Sequence, residues 1–406
     1  MAIKIRDCAE SETPDRKWIC FDGPVDAVWI ENMNTVLDDN KKLCLTSGQI
    51  IKLKPTMTIM FQVDDLSQAS PATISRCGMV LLESAQLGHN VLITSYATEL
   101  KKLVDHKICD KVEKLFHHLA DLSIEFSRVN CKIPCAGGGS FLVSHMIRLI
   151  DCYMNEFKPK FADQEEINIP ADIEEKLTNA LIYSAIWGIG GVIDESTREK
   201  FDVFLKELVN GEDVVEKYKI DLGKETAVKY PATKIPNKMG EYESVFDILF
   251  DQTEMRWVNW MNTVTKYTIN RELTYLQLSI PTIDSIRMIG ICKNLLLNSK
   301  HCLLVGPTGT GKSVQINQML KQEFDNEEWA YYQLGFSAQT SSNQTERIID
   351  GSMDKRRKGV FGPKLGKEGV IFVDDLNMPQ KEKYGAQPPI ELLRQWMDYQ
   401  GWYDID

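Results

Sequence analysis

The chain has 406 residues, of which 43% are hydrophobic and 26% are charged, a composition typical of a globular protein with two or three domains. It contains no run of 18 apolar residues, and its first residues lack the apolar core of a secretory signal. The sequence therefore predicts neither a membrane span nor a signal peptide. The net charge of -11 argues against a nucleic-acid binder, which usually presents a basic face.

Ten cysteines are scattered from Cys8 to Cys302, and no two of them form a Cys-x-x-Cys pair. A chain of this size buries a core without disulfides, so we expect reduced thiols and a cytosolic protein. Cys131 and Cys135 follow a pair of histidines, but their spacing matches no zinc pattern, so we expect no metal site there.

The first 82 residues show the alternation of strands and polar loops that is typical of α/β domains. Apolar runs at 18–21 and 57–63 end in turn or acidic residues, which predicts two buried strands. Ser70 before Pro71 predicts the N-cap and first turn of a short helix. A third apolar run, at 79–82, predicts a further strand.

Residues from about 90 to 225 are helical in pattern, because apolar side chains recur every three or four positions. The segments with this spacing are 100–108, 112–119, 141–154, 173–187 and 196–209. Residues 210–240 contain Gly, Pro and Lys with little periodicity and predict a linker. Apolar runs at 245–250 and 255–260 then predict a β-hairpin.

The α/β pattern returns at Pro281 and Thr282, which precede an apolar helix at 283–297. Buried strands are predicted at 302–305, 331–334 and 370–373. The sequence thus predicts three parts, which are the C-terminal part of an α/β subdomain at 1–85, a helical subdomain with a linker at 86–235, and the N-terminal part of a second α/β subdomain at 236–406.

A glycine-rich loop follows the predicted strand at 302–305 and precedes a predicted helix at 314–322. Its residues are Gly306, Pro307, Thr308, Gly309, Thr310, Gly311, Lys312 and Ser313, which fit Gly-x4-Gly-Lys-Ser/Thr. The glycines let backbone N–H groups turn towards phosphates, and the helix N-terminus adds the positive end of its dipole. We expect Lys312 to reach the β- and γ-phosphates of ATP or ADP, and Ser313 to ligate Mg²⁺.

The predicted strand at 370–373 ends in Asp374 and Asp375, and Asp374 lies 62 positions after Lys312. This is the expected layout of the magnesium-binding carboxylate of a P-loop ATPase. We expect Asp374 to hold the metal through water and Asp375 to polarise the attacking water.

A second strand of this form ends in Asp22, and no P-loop precedes it in the sequence. The order along the chain is acid strand, P-loop, acid strand, with 352 residues from Asp22 to Asp374. We interpret this order as the back half of one ATPase module, with Asp22 as its metal ligand, followed by the front half of the next module.

Other P-loop classes fit the sequence poorly. A GTPase should carry Asn/Thr-Lys-x-Asp for guanine, and residues 237–240 (Asn-Lys-Met-Gly) lack the Asp. A small-molecule kinase needs neither the helical segment nor a second acid strand. The dense basic run at 355–358 predicts a solvated loop, with a nuclear-import signal as the weaker alternative.

Several stretches resemble dynein heavy chains. Residues 21–34 (FDGPVDAVWIENMN) and 70–79 (SPATISRCGM) are similar to the second AAA+ module. The P-loop, 372–379 (FVDDLNMP) and 384–395 (YGAQPPIELLRQ) are similar to the third, and the last string resembles axonemal rather than cytoplasmic dyneins. The resemblance covers essentially the whole chain. It implies P-loop AAA+ modules, both truncated, with parallel-sheet α/β large subdomains and a helical small subdomain between them.

Dynein heavy chains fold six AAA+ modules into a ring, and ATP turnover drives movement on microtubules. The resemblance implies part of a motor ATPase of cilia and flagella, located in the cytoplasm, the cytoskeleton and the axoneme, in which this segment supplies a regulatory ATP site. The implied partners are the neighbouring modules, microtubules through a stalk, and intermediate and light chains through a tail. Stalk and tail lie outside this sequence, and neither nucleic acid nor membrane is implied. We expect the segment alone to move nothing.

In this family each site takes an arginine from the next module, which implies that Arg76 completes the first module's site. By the same likeness, Pro281 and Thr282 flank the adenine. Gly23 stands where a hydrolytic Glu would be, so we expect the second site to bind nucleotide without turnover. Asp375 replaces Glu in the third site, and a carboxylate set back by about 1 Å can cost on the order of 100-fold in rate. We therefore expect slow hydrolysis or regulatory binding there.

Two alternatives stay open. One is a structural element that binds nucleotide and never hydrolyses it, which Gly23 and Asp375 favour in part. The other is an AAA+ loader, helicase or other remodelling ATPase, working on nucleic acid. The acidic charge and the lack of a basic patch interleaved with aromatic residues disfavour this second alternative.

Overall fold

The computed structural model describes residues 2–402 except 24, 26, 46, 64, 84–86, 136, 158–168, 223–242, 265–279 and 384. The chain divides into two compact units: the acid-strand unit, Met1–Leu81 with Phe324–Asp406, and the P-loop unit, Leu82–Glu323. The predicted domain boundaries at 85–86 and 235–236 fall outside the described residues, as does most of the predicted linker. Within the described ranges, no helix combines the length and apolarity needed to cross a membrane.

The first segment of the acid-strand unit alternates strands with short helices. Its elements are α1 (Ala2–Glu10), β1 (Lys17–Asp22), α2 (Ala27–Asn32), α3 (Asn34–Leu37), β2 (Lys42–Cys44), β3 (Ile50–Lys52), β4 (Met57–Gln62) and α4 (Pro71–Ile74). β1 and β4 pair in parallel, with Asp22 opposite Gln62, so the predictions at 18–21 and 57–63 are confirmed. A small core forms beneath them from Ile5, Met33, Val36, Leu43, Ile51, Leu53 and Met57.

Two predictions for this segment have opposite outcomes. Ser70 is the N-cap of α4, and its hydroxyl accepts a hydrogen bond from the Thr73 N–H at 3.4 Å, as the sequence predicts. The strand predicted at 79–82 is wrong, because these residues form no ladder and their side chains are 58% to 81% exposed. An apolar run becomes a strand only where a neighbour completes its backbone hydrogen bonds.

The first part of the P-loop unit is helical, as predicted. Its helices are α5 (Asn90–Leu100), α6 (His106–Asn130), α7 (Gly139–Met154), α8 (Ile173–Gly188), α9 (Glu195–Val209) and α10 (Val214–Tyr218). The apolar spacing at 100–108 does not lie within one helix, because α5 ends at Leu100 and Asp105 caps α6 by accepting from the Lys107 N–H; the spacing at 112–119 lies within α6, as predicted. α8 packs against α6 and α7, and its side chains lie at the centre of a continuous core.

A hairpin and two helices complete the P-loop unit. They are β5 (Ile248–Asp251), β6 (Arg256–Asn259), α11 (Ile283–Leu297) and α12 (Lys312–Gln322). The predicted hairpin and the predicted helix at 283–297 are thus confirmed. The hairpin is fixed to the helices because the Trp257 indole donates to the Asn179 side chain at 3.0 Å.

The strand predicted at 302–305 is wrong. These residues pair with no other strand in the described structure, and Leu303 and Val305 are 69% and 68% exposed. The segment is held instead at its start, where the Lys300 ammonium lies 3.0 Å from the Asp151 carboxylate on α7.

The second segment of the acid-strand unit carries the second parallel pair. Its elements are β7 (Trp329–Gly335), α13 (Ser342–Ser352), β8 (Asp354–Arg357), β9 (Val360–Gly362), β10 (Glu368–Asp374) and α14 (Pro388–Tyr399). β7 and β10 are parallel, and they confirm the strands predicted at 331–334 and 370–373. The basic run at 355–358 is not a plain loop, since it forms most of β8 and the turn that follows. The chain is therefore mixed α/β, with two parallel strand pairs, and one strand of each pair ends in aspartate.

Candidate nucleotide site

The glycine-rich loop has the backbone that its sequence predicts. Gly309 and Gly311 both have φ of +80°, in the left-handed region that residues with a Cβ rarely adopt. Gly311 is also the N-cap of α12, so the turn leads directly into the helix. Two glycines at these positions let the chain reverse at the helix N-terminus, where an anion is stabilised by free N–H groups and the helix dipole.

Lys312 folds back over the loop rather than into solvent. Its ammonium donates to the carbonyl oxygens of Gly306 and Pro307, at 3.0 and 2.5 Å, and to the Thr310 hydroxyl at 3.2 Å. The ammonium is thus held above the centre of the loop by weak neutral acceptors. Phosphate oxygens placed in the loop would be stronger, charged acceptors for the same group.

α11, the helix before the loop, supports α12, the helix that follows the loop. Thr282 is the N-cap of α11, and its hydroxyl and the Ser285 hydroxyl each accept from the other residue's backbone N–H. α11 packs against α12, which begins at Lys312. Pro281 and Thr282 therefore lie at the start of an element that supports the loop helix.

The acid pair lies at the carboxyl end of β10. The Asp374 carbonyl accepts from the Phe336 N–H at 3.0 Å, which continues the β7–β10 ladder by one bond. Asp375 follows with φ of +55°, and its backbone N–H donates to the Asp374 carboxylate at 3.1 Å. Aspartate is among the few residues that accept this left-handed conformation. The chain turns directly after the strand, and the Asp375 side chain is exposed.

Asp22, at the matching end of β1, has two partners that the sequence reasoning missed. Its carboxylate lies 3.5 Å from both terminal nitrogens of Arg394 and 3.3 Å from the Tyr399 hydroxyl, both on α14. The negative charge of Asp22 raises the pKa of Tyr399, and Glu391, with Asp22 contributing less, raises that of Arg394. The only sequence signal was the position of Arg394 in the string at 384–395.

Asp22 and Arg394 border an open pocket of about 600 Å³. Asp22, Gly23, Gln62 and Val63 line it from the ends of β1 and β4, and Arg394 lines it from α14. The pocket therefore lies at the carboxyl edge of a parallel strand pair, where α/β sheets commonly bind ligands.

Arg76 is engaged within its own unit. Its Nε forms an ion pair with the Asp38 carboxylate, and its Nη1 donates to the Ala72 carbonyl at 2.8 Å. The side chain is 32% exposed. It is thus ordered against α4 and keeps access to solvent.

Comparisons with known protein families agree with this geometry. Residues 267–406 match the family described as the P-loop containing dynein motor region, and residues 112–262 match the dynein heavy chain AAA lid domain. The fold and the loop thus define a P-loop AAA+ protein of the dynein type.

Similarity extends beyond the two matched regions to essentially the whole chain. The chain is 42% identical over 415 aligned residues to dynein axonemal heavy chain 3 of Mus musculus, covering all of this chain and 10% of the relative. It is 41% identical over 405 residues to dynein axonemal heavy chain 1 of Mus musculus, and 38% over 421 residues to dynein axonemal heavy chain 12 of Homo sapiens; the alignments cover 98% and 100% of this chain, and 9% and 13% of those relatives. The chain belongs to the dynein heavy-chain family, and it spans about a tenth of the length of these relatives.

Proposed function

We propose that this chain supplies a regulatory ATP-binding site of an axonemal dynein heavy chain. The observation that carries the proposal is the position of the Lys312 ammonium, which lies over a loop of two left-handed glycines at the N-terminus of α12. In this arrangement, loop N–H groups and Lys312 would bind the phosphates of ATP or ADP.

The remaining loop residues and the acid pair take the roles that the motif assigns. Gly306, Pro307, Thr308 and Thr310 would form the wall of the phosphate cradle. Ser313 and Asp374 would hold Mg²⁺, which supplies charge neutralisation of the phosphates when bound. Asp375 would orient the attacking water, and Pro281 and Thr282 would flank the adenine.

A second, non-hydrolytic site is proposed at Asp22, where Mg²⁺ and nucleotide would occupy the carboxyl edge of β1 and β4. Gly23 provides no carboxylate to polarise water, which supports binding without turnover. Arg76 would complete the site of the preceding module by leaving Asp38 for a phosphate. The alternative of a structural element that binds nucleotide without hydrolysing it is therefore kept for the Asp22 site.

The whole protein is proposed to be an ATP-driven microtubule motor of the cilium or flagellum axoneme. Its partners would be the adjoining AAA+ modules, microtubules, and intermediate and light chains. These assignments rest on similarity to the axonemal heavy chains, of which this chain covers a tenth.

Calorimetric titration of the 406-residue chain with MgATP tests the P-loop assignment. We expect one saturable, magnesium-dependent site, because the strand that ends in Asp22 has no P-loop before it in this sequence. Lys312→Ala should weaken binding by at least about tenfold, because a charged hydrogen bond to phosphate contributes about 1.5–3 kcal/mol. The matched control is Lys321→Ala, which removes an exposed lysine from the same helix. Unchanged affinity in Lys312→Ala, or no binding by the unmodified chain, would contradict the proposal.

Asp375→Glu in an intact heavy chain tests the hydrolytic role. A Glu carboxylate reaches about 1 Å further, so we expect third-site turnover to rise. The gain should stay below about 100-fold, because Glu accepts the φ of +55° at this position less readily than Asp. Single-turnover measurements with the first site disabled isolate this step. Unchanged turnover would show that the length of the Asp375 side chain does not limit hydrolysis.

A further inference from the structure

A concentration of positive charge lies in the acid-strand unit, outside the proposed nucleotide sites. Residues 354–367, the basic hairpin, contain Lys355, Arg356, Arg357, Lys358, Lys364 and Lys367. Asp354 is the only acid within this range, although the whole chain carries a net charge of -11. The basic hairpin thus has a net charge of five positive units, opposite in sign to the net charge of the whole chain.

None of these six cations has a carboxylate partner within the described residues. Arg356 donates to the Pro363 carbonyl, Lys367 donates to the Asn326 carbonyl, and the Lys355 ammonium lies 6.0 Å from the centre of the Phe361 ring. Elsewhere on the surface, lysines commonly pair, as Lys293 does with Glu323 at 2.7 Å. Uncompensated like charges repel one another, and an anionic partner would relieve that repulsion.

The backbone of the basic hairpin is also open to a partner. β8 and β9 form a sheet of two strands, so each has one edge without a ladder partner in the described structure. All four residues of β8 are exposed, and Gly359, with φ of +73°, makes the tight turn to β9. Phe361 and Leu365 add apolar side chains that are 42% and 83% exposed.

We propose that the basic hairpin docks an acidic peptide segment, which adds to its free edge as a further strand. Free N–H and C=O groups select an extended peptide, because a strand completes them along its whole length. Lysine and arginine on an edge repel a basic strand, lose hydration without compensation against a neutral one, and attract an acidic one. Single-stranded nucleic acid could use the charge, but it would leave the edge unpaired, and Lys355 already covers the Phe361 ring.

Fluorescence anisotropy with labelled probes tests this proposal on the 406-residue chain. The probes are an alternating Glu-Thr decapeptide, an alternating Glu-Pro decapeptide of equal charge, and an oligothymidylate with a similar number of charges. We expect the Glu-Thr peptide to bind most tightly, because proline lacks the N–H that an added strand must donate. Raising the salt concentration should weaken binding, since the contacts are exposed.

Arg357→Glu/Lys358→Glu should weaken Glu-Thr binding by about tenfold, as two attractive contacts become repulsive. The matched control is Lys42→Glu/Lys52→Glu, the same charge change on facing residues of the other exposed antiparallel pair, β2–β3, and it should leave binding unchanged. Equal loss in both double variants would overturn the site. Equal binding of the Glu-Pro probe would overturn strand addition, and tighter binding of the oligothymidylate would overturn the peptide in favour of phosphate recognition.

Discussion

The residues that follow Asp22 and Asp374 differ in their backbone conformation as well as in their side chains. Gly23 has φ of +147°, a conformation that residues with a side chain rarely adopt, and its N–H donates to the Gln62 carbonyl at 3.2 Å. A Glu at this position would therefore have to bring backbone strain with its carboxylate. At Asp375, by contrast, φ of +55° is one that aspartate accepts. The sequence alone shows that the Glu is missing, whereas the strain that a Glu would cause can be recognised only from the backbone angle in the structure.

Gly23→Ala should destabilise the acid-strand unit by about 1–3 kcal/mol through backbone strain. Packing contributes nothing, because an added Cβ meets no atom within 4 Å. Gly335→Ala is the control, since Gly335 also ends a parallel strand, has open space around its Cβ position and has no positive φ. We expect the control to change stability by less than about 0.5 kcal/mol in urea unfolding. Equal effects of the two substitutions would show that the φ at Gly23 is not strained.

At the scale of the element, α11 couples the hairpin region to the loop helix by close packing. An added Cβ on Gly290 would lie 2.4 Å from the buried ring of Trp260, so the helix approaches that ring as only glycine permits. The Arg287 guanidinium on the same helix pairs with Asp247. The sequence shows a glycine within an apolar helical pattern, but it does not show that the Trp260 ring packs against Gly290.

Gly290→Ala should destabilise the P-loop unit by about 1–3 kcal/mol, because the ring or the helix must move. In Gly351→Ala, on α13, the new Cβ meets nothing within 4 Å, so we expect a gain of about 0.5 kcal/mol from helix propensity. Thermal unfolding followed by circular dichroism measures both. Adding Trp260→Leu to Gly290→Ala should recover part of the loss; if it recovers none, the close contact is not the cause.

The elements whose conformation is set by their own local sequence were predictable, and those that depend on residues far away in the sequence were not. The helices at 141–154 and 283–297 have an apolar face that their 3.6-residue period reveals, and the helix at 173–187 is apolar enough to be buried on nearly all sides. The P-loop was found because its glycines and Lys312 act within eight consecutive residues. The strands expected at 79–82 and 302–305 failed because apolarity marks a segment that can be buried without supplying the neighbour that pairs with it. Arg394 was missed as a partner of Asp22 for the same reason, since 372 positions separate them.

At the scale of the whole molecule, the two units differ in how much core supports them. In the P-loop unit, one continuous apolar core extends through α5–α9, the hairpin and the start of α11. In the acid-strand unit, the core beneath β1 and β4 is small, and the β7 and β10 side chains are mostly exposed or half-buried. Since apolar burial is the main stabilising term, the two units should open at different free energies.

Amide hydrogen exchange resolves this difference along the chain. We expect protection factors in α8 to exceed those in β7 and β10 by at least about 100-fold, which corresponds to about 2.7 kcal/mol. Leu181→Ala removes a fully buried side chain from α8 and should cost about 2–5 kcal/mol. If the units open separately, that substitution lowers protection in the helices and leaves the β10 amides unchanged. A parallel loss in β10 would mean instead that the chain unfolds as one cooperative body, in which case the small core beneath β1 would not set the stability of its own unit.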